Sequence, residues 1–513
     1  MTECFPAAAK RSSWRPPAWA PGKIDRPWHD VSMPGLLGDS FRFGVATAGF
    51  QVEGGFNGPG EPRNNWYEWE TEGRVEVSGI ALDFWNQFEH HLDQAAALGI
   101  DSFRLSLEWA RCEPSEGRYD DDAFERYRRI LTACRERGME PLLTLLHFTH
   151  PAWLGVDFWS RADSAERYAG FAAEAVTRLS SECQNWVTLN EINVLALMSF
   201  FLGGFPPGRR LDGPTTLKAA DLLLSAHVLA YERIKRLQPA GVVSTNNCSF
   251  SIYELDRLLI DLLLARSRGV DRDDLDAHLA ERRTDFYASD AGKGVPGPSG
   301  STRRWATGEE ALRRLARQLV HPVQAFARTI EAVYASPHER TLDVTQLDYY
   351  DPETASHLQP PFMPTAGGRW PLPQRPLWDD PANPPGLSAY CAVNTETDLD
   401  LWIVENGLCN RVRRGRAFPR LDGWDRPRYL RENLAAVLTS ISAGIPISGY
   451  WHWCLADNYE WGSYEPRFGI YGIDRERSCR WDELDSMGKD SAGAYRRIIE
   501  GLRAGDTSVL SDR

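Results

Sequence analysis

Apolar positions in this chain follow two rhythms that alternate along most of its length. Short runs rich in β-branched and aromatic residues read as strands at Phe41–Phe50, Ser102–Trp109, Pro141–Phe148 and Trp186–Glu191. Four more follow at Val242–Asn247, Leu342–Tyr350, Leu401–Glu405 and Ile447–Leu455. Between them, apolar residues recur every three to four positions, as on one face of a helix. Phe84, Phe88, Leu92, Ala95 and Leu98 form one such stripe, Phe124, Tyr127, Leu131 and Cys134 a second, and Leu430, Leu434, Leu438 and Ile441 a third. Gly99, Gly138 and Gly444 stand where these helices should stop, because a helix commonly ends on a left-handed residue that glycine adopts without strain. Eight strands separated by helices predict a closed parallel (β/α)8 barrel with enlarged βα loops. The rival is an open doubly wound sheet, but no GxGxxG follows a first strand.

On this pattern residues 41–500 form one barrel domain. Residues 1–40 are an N-terminal extension, either loosely ordered or an arm packed through Trp14, Trp19 and Trp28, and 501–513 are a C-terminal tail. Two segments exceed ordinary connections. Tyr253 to Arg340 carries charged helical runs around a Gly/Pro/Ser patch, and Gln359 to Gly386 is dense in proline. Long loops after barrel strands are expected to build the rim of a pocket.

Composition narrows the function. Fifty-eight Lys and Arg against 71 Asp and Glu leave a formal net charge of −13, which argues against a nucleic-acid surface. Nine cysteines without CxxC spacing fit a reduced compartment, residues 1–40 lack the apolar stretch of a signal peptide, and no window is long enough to span a bilayer. A cytoplasmic protein with no membrane partner is expected. His90-His91 reads as a helix-face pair, and no spacing of histidine or cysteine predicts a metal or another cofactor. Of the 19 tryptophans, most should be core and a few platforms for sugar rings.

The chemistry concentrates in Thr188-Leu189-Asn190-Glu191 and Ile403-Val404-Glu405-Asn406-Gly407. Each ends an apolar run with a glutamate beside an asparagine, so each sets a carboxylate at the mouth of a strand. Two carboxylates facing one cavity can break a glycosidic bond, one protonating the departing oxygen and the other attacking the sugar or activating water.

Together these segments resemble glycoside hydrolase family 1, the β-glucosidase and β-galactosidase family of (β/α)8 barrels, over roughly residues 41 to 474. The resemblance rests on Phe43-Gly44-Val45-Ala46-Thr47-Ala48 with Gln51 and Glu53, Phe103-Arg104-Leu105-Ser106 with Trp109, and Thr144-Leu145-Leu146-His147-Phe148. Phe205-Pro206-Pro207-Gly208, Trp453 to Trp461 and Arg467-Phe468-Gly469 complete it. It implies that Glu405 is a nucleophile and Glu191 an acid/base, that Asn190 serves the sugar 2-hydroxyl, and that Arg104 and Tyr350 keep Glu405 ionised. It further implies that Gln51, His147, Glu460 and Trp461 read the remaining hydroxyls. Trp453 would floor the ring, Trp378 would flank the leaving group, and Phe468 would line the site. The implied activity is a retaining, exo-acting β-glycosidase on a neutral hexose, since Glu460 would repel a phosphate. The substrate partner is then a small glycoside, and oligomeric state stays open. A transglycosidase with the same intermediate and a non-catalytic sugar-binding relative are the alternatives.

Taken singly, His147 reads as a core histidine, Arg104 as half of a buried ion pair and Trp451 as core. Tyr349 and Tyr350 must face opposite sides of a strand, so only one reaches the site. The chain departs from the family pattern at Ile192 (proline), Val404 (threonine), Asp348 (asparagine) and Cys454 (serine). Asp348 is the departure with consequences, because a third negative charge near the pair would raise a neighbour's pKa unless a base pairs with it.

Overall fold

The structure is a computed structural model that describes residues 37–38, 40–295, 306–350, 377–396, 398–475 and 479–511. All eight expected strand positions are occupied. They are β1 (Arg42–Ala46), β2 (Ser102–Ser106), β3 (Glu140–Thr144), β4 (Asn185–Val187), β5 (Val242–Ser244) with β6 (Asn246–Cys248), β7 (Thr345–Tyr349), β8 (Leu401–Asn406), and β11 (Ile447–Trp453) beyond a surface hairpin of β9 (Asn410–Arg413) and β10 (Arg416–Phe418). The main sheet runs β5-β4-β3-β2-β1-β11-β8-β7-β6, with every pairing parallel. Its two ends are one stave interrupted at Thr245, so the sheet closes into the eight-staved barrel.

The strands are shorter than their apolar runs because several runs turn into helix at the mouth. Gly49–Val52 and Trp109–Cys112 are helical where strand was expected. The three predicted helices are Phe84–Ala96, Asp121–Glu136 and Arg426–Ser442, and Gly99, Gly138 and Gly444 follow them with φ of +75°, +75° and +90°. The outward faces of the staves join the helices in one large core, while Ala46, Leu142, Val187, Val344, Trp402 and Trp451 fill the barrel interior. Trp451 is therefore core.

Residues 1–36 and most of the proline-dense 359–386 stretch lie outside the described residues. The boundary expected at 500 falls inside helix Ser491–Arg503, and the turn Thr507–Leu510 beyond it buries Leu510. The long segment after β6 is mainly helical and includes Leu258–Leu264, Leu275–Ala288 and Ala306–Leu319. Among the described residues, no helix is long and apolar enough to cross a membrane.

Candidate active site

Strand parity supplies much of the site. Residues of even number on β2 and β7 face the barrel interior, which brings Arg104 and Asp348 inward, with Tyr350 just past the strand. Tyr349 points out, and its hydroxyl donates to the Asn383 carbonyl at 2.6 Å. On β8 the even positions Trp402 and Val404 face in, so unbroken alternation would aim Asn406 into the barrel. The register slips instead. Leu347 pairs with Ile403 and Asp348 with Glu405, skipping Val404, and the β11 side slips at the same place. This local bulge turns Glu405 inward, as bulges beside active sites commonly re-aim a side chain. Asn406 points away and is held by the hydroxyls of Tyr450 and Tyr429.

Glu191 arrives differently. It lies between β4 and helix Ile192–Phe200 with left-handed backbone, φ +40° and ψ +65°. For a residue bearing a Cβ this conformation costs about 1–3 kcal/mol. It turns the chain sharply from strand to helix and leaves the carboxyl at the mouth. Ile192, in the place of a proline, is buried and opens the helix.

One carboxyl oxygen each from Glu191, Asp348 and Glu405 lies within 4.8 Å of the other two. Arg104, fully buried, donates to Glu405 at 2.7 Å, to the Val404 carbonyl at 3.2 Å and to Thr144 at 3.2 Å. It also donates to the side-chain oxygen of Asn190. Tyr350 donates to the other oxygen of Glu405 at 2.9 Å. Asp348 meets a base only at a distance, with Arg104 4.0 Å away, and accepts from the Asn246 amide. The side chains of Asp348 and Cys248 lie beside the Glu191 carboxyl.

Three buried acids with one guanidinium bind protons tightly. Burial, then the charge of Glu405, pushes Glu191 up to about 8. Burial and the charges of Glu405 and Glu191 drive Asp348 well above the usual range, with Arg104 too remote to offset them. Burial also raises Glu405, although Arg104 and Tyr350 oppose it. Glu405 is thus the member that ionises first, as the only one in direct contact with a cation. The three acids could together hold a hard cation. Arg104 already answers part of their charge.

The remaining expected residues gather around the same cavity, of about 1920 Å³, except Gln51, Asn190 and Arg104, which sit buried behind its wall. Asn190 donates to Nε2 of His147 at 3.0 Å, and burial together with Arg104 keeps that imidazole neutral. Its proton therefore sits on Nδ1, a buried atom with no protein partner among the described residues, as is Oε1 of Gln51. The Gln51 amide donates to the Tyr459 carbonyl at 3.0 Å and to Glu460 at 3.1 Å. Burial and the nearby charge of Glu405 push Glu460 up to about 8. The His147 ring stacks on Trp453 (5.8 Å) and Trp461 (5.6 Å), and Phe468 meets Tyr350 edge-on at 5.9 Å. Trp378 is half-buried beneath Arg411 and lines the same cavity. Glu53 lies apart, held by Tyr127 at 2.7 Å and Arg111 at 3.1 Å, and braces the turn that carries Gln51.

Sequence reasoning missed Asn246 and Cys248. Both lie on the fifth stave, whose strand was identified. Inward-facing parity past the Thr245 break could have found Asn246, which donates to Asn190 at 2.9 Å and also to Asp348.

The sequence profile of Glycosyl hydrolase family 1 matches residues 33–271 and 372–502. The β-glucosidase of Agrobacterium sp. is 27% identical over 490 residues, covering 91% of this chain and 96% of that one. The 6-phospho-β-galactosidase of Clostridium acetobutylicum is 22% identical, covering 90% and 96%. The solved β-glucosidase from Thermotoga maritima in complex with castanospermine superposes with a TM-score of 0.66 at 21% identity, covering 90% and 98%. The chain belongs to glycosyl hydrolase family 1 and is an O-glycosyl hydrolase.

Proposed function

We propose that the protein is a retaining, exo-acting β-glycosidase for neutral hexosides such as β-glucosides, with Glu405 as nucleophile and Glu191 as acid/base. The observation that carries this reading is the proximity of the two carboxyls, whose oxygens lie within 4.8 Å. A pair ~5–5.5 Å apart suits attack on the sugar itself, whereas an inverting pair stands ~6.5–9.5 Å apart to admit water.

The ionised oxygen of Glu405 attacks the anomeric carbon while Glu191 gives its proton to the departing oxygen. The glycosidic bond breaks and an ester forms. Loss of the Glu405 charge removes one of the causes that hold the proton on Glu191. Glu191, now a base, takes a proton from water, whose oxygen attacks the same carbon and expels Glu405 as carboxylate. Asn190, fixed by Arg104 and Asn246, takes the 2-hydroxyl in this reading through the amide proton that its bond to His147 leaves over. The unpartnered Nδ1 of His147 and Oε1 of Gln51 supply one donor and one acceptor for further hydroxyls.

A neutral glycone is favoured because Glu460, bonded to Gln51, sets a carboxyl where a phosphate would need a cation. The 6-phospho-β-galactosidases among the relatives therefore do not set the expectation for this chain.

The test is hydrolysis of 4-nitrophenyl β-glucoside by the wild type and by Glu405→Ala, with and without azide. Turnover by the wild type is expected, with loss on the order of ten-thousand-fold in the variant. Azide should restore nitrophenol release and yield the α-glycosyl azide. A wild type inert on every aryl glycoside, or a variant of full activity, would overturn the assignment.

A further inference from the structure

The helix that begins directly after Glu191 is apolar on two faces. Ile192, Leu195, Ala196 and Phe200 are buried in the core. A helix at a solvated rim would carry polar groups on its other face. Here Val194, Leu197 and Met198, with Phe201 one turn on, are half-buried and line the cavity that holds the carboxyls. Their spacing places them in one row. With a rise of about 1.5 Å per residue, the row runs roughly 15 Å away from Glu191.

A second apolar row faces the same cavity from helix Ala306–Leu319, at Leu312, Leu315, Ala316 and Leu319. Leu315 is 46% and Leu319 59% exposed, one turn apart in that row. This helix lies within residues 272–371, which the family profile does not match. The cavity, at about 1920 Å³, exceeds the roughly 300–1,000 Å³ of an ordinary small-molecule pocket and leaves space beyond one sugar ring.

A general acid must touch the oxygen that leaves, so whatever is attached to that oxygen lies on the Glu191 side of the sugar. We propose that the leaving group is a large hydrocarbon-like alcohol, such as a long-chain or polycyclic alcohol, lying between these two apolar rows, rather than a second sugar. This rests on the glycosidase reading above. A saccharide lying along these rows would lose water from its hydroxyls against leucine and methionine side chains that offer no hydrogen bond, whereas each methylene of an alkyl group gains by leaving water.

The experiment compares kcat/KM for methyl, butyl and octyl β-glucosides below their micellar concentrations, with cellobiose alongside, by measuring released glucose. 4-Nitrophenyl β-glucoside is run as the control for the glycosidase reading. A rise of roughly two- to four-fold per added methylene is expected, with octyl glucoside far ahead of cellobiose. In Leu315→Gln/Leu319→Gln the octyl-to-methyl ratio should fall by about five-fold, and in Leu315→Met it should be kept. A flat series, cellobiose ahead of octyl glucoside, or an unaltered ratio in the double variant would overturn the proposal while nitrophenyl turnover leaves the glycosidase reading intact. Absence of nitrophenyl turnover would instead remove the reading on which it rests.

Discussion

Two clusters of buried acids in this protein hold their protons in opposite ways. In one, after β6, the carboxyl of Asp261 is surrounded by Arg257 at 3.0 Å, Arg268 at 3.0 Å and Arg282 at 3.2 Å, and Glu396 bonds to Arg268 at 2.7 Å. Burial alone would raise both acids, but the guanidinium groups outweigh it and both stay below the ordinary range. In the barrel mouth, Glu191, Asp348 and Glu405 are as deeply buried with only Arg104 among them, and all three are raised. Burial is common to both clusters, so the number and closeness of cations decide the sign. The first arrangement suits a clamp between segments. The second stores protons where a reaction can use them, and it does so at the expense of stability.

The largest expected break of this contrast is functional. Glu191→Ala should lose activity on the order of ten-thousand-fold toward alkyl glucosides. It should lose far less toward 4-nitrophenyl β-glucoside, whose leaving group needs little protonation, and azide should then yield the β-glycosyl azide. Product analysis by NMR checks this, and an α product would reverse the assigned roles. Its fold should be unharmed, since the change removes a crowded carboxyl.

Asp261→Asn should do the reverse. It strips one of two shared anions from the buried Arg257 and the half-buried Arg268 and Arg282, and breaking such a set costs about 3 kcal/mol. Urea unfolding followed by tryptophan fluorescence measures it, with kcat on aryl glucosides little changed. A cost under about 1 kcal/mol would mean that the arginines find water instead.

Stability against pH should carry both signatures. Asp261 has a lowered pKa, so its contribution is present above an ordinary 3.8 and is lost as the pH falls through its folded value. Glu191 has a raised one. Between an ordinary 4.5 and about 8 the unfolded chain has released this proton and the folded chain has not, so stability declines as pH rises through that window. Glu191→Gln should flatten the decline by on the order of 2 kcal/mol, read from unfolding midpoints at pH 5 and pH 8. An equal decline in both proteins would place its cause elsewhere.

The finest probe is Asp348→Asn. An amide at this position titrates no proton beside Glu191 and Glu405, so the alkaline limb of kcat/KM should move by about one pH unit. A profile identical to the wild type would show that Asp348 titrates apart from the catalytic pair.

Much of this was legible beforehand because it depends on local periodicity. Strand parity separated Tyr349 from Tyr350 without any coordinates, and the glycines after three helices marked their ends. Val242–Asn247 was readable as one strand, but not its break at Thr245, because the stave changes partners there and pairing is not a local property. The expectation that Asp348 pairs with a base is met only at 4.0 Å from Arg104, and the carboxyl that is driven up most clearly is Asp348 itself, by burial and by the charges of Glu405 and Glu191.

The sequence by itself determined the eight staves, the two glutamates at their ends and the set of residue types the chemistry needs, because each follows from a repeat of two or of about 3.6 residues and from the neighbours of one position. Only the tertiary structure decided that Glu405 rather than Asn406 faces inward, that Asp348 comes within 4.8 Å of Glu191, and that a helix far along the chain lines the same cavity. Those outcomes depend on a slipped register and on contacts between segments far apart in the chain, where the balance of burial against charge is set by which groups arrive together.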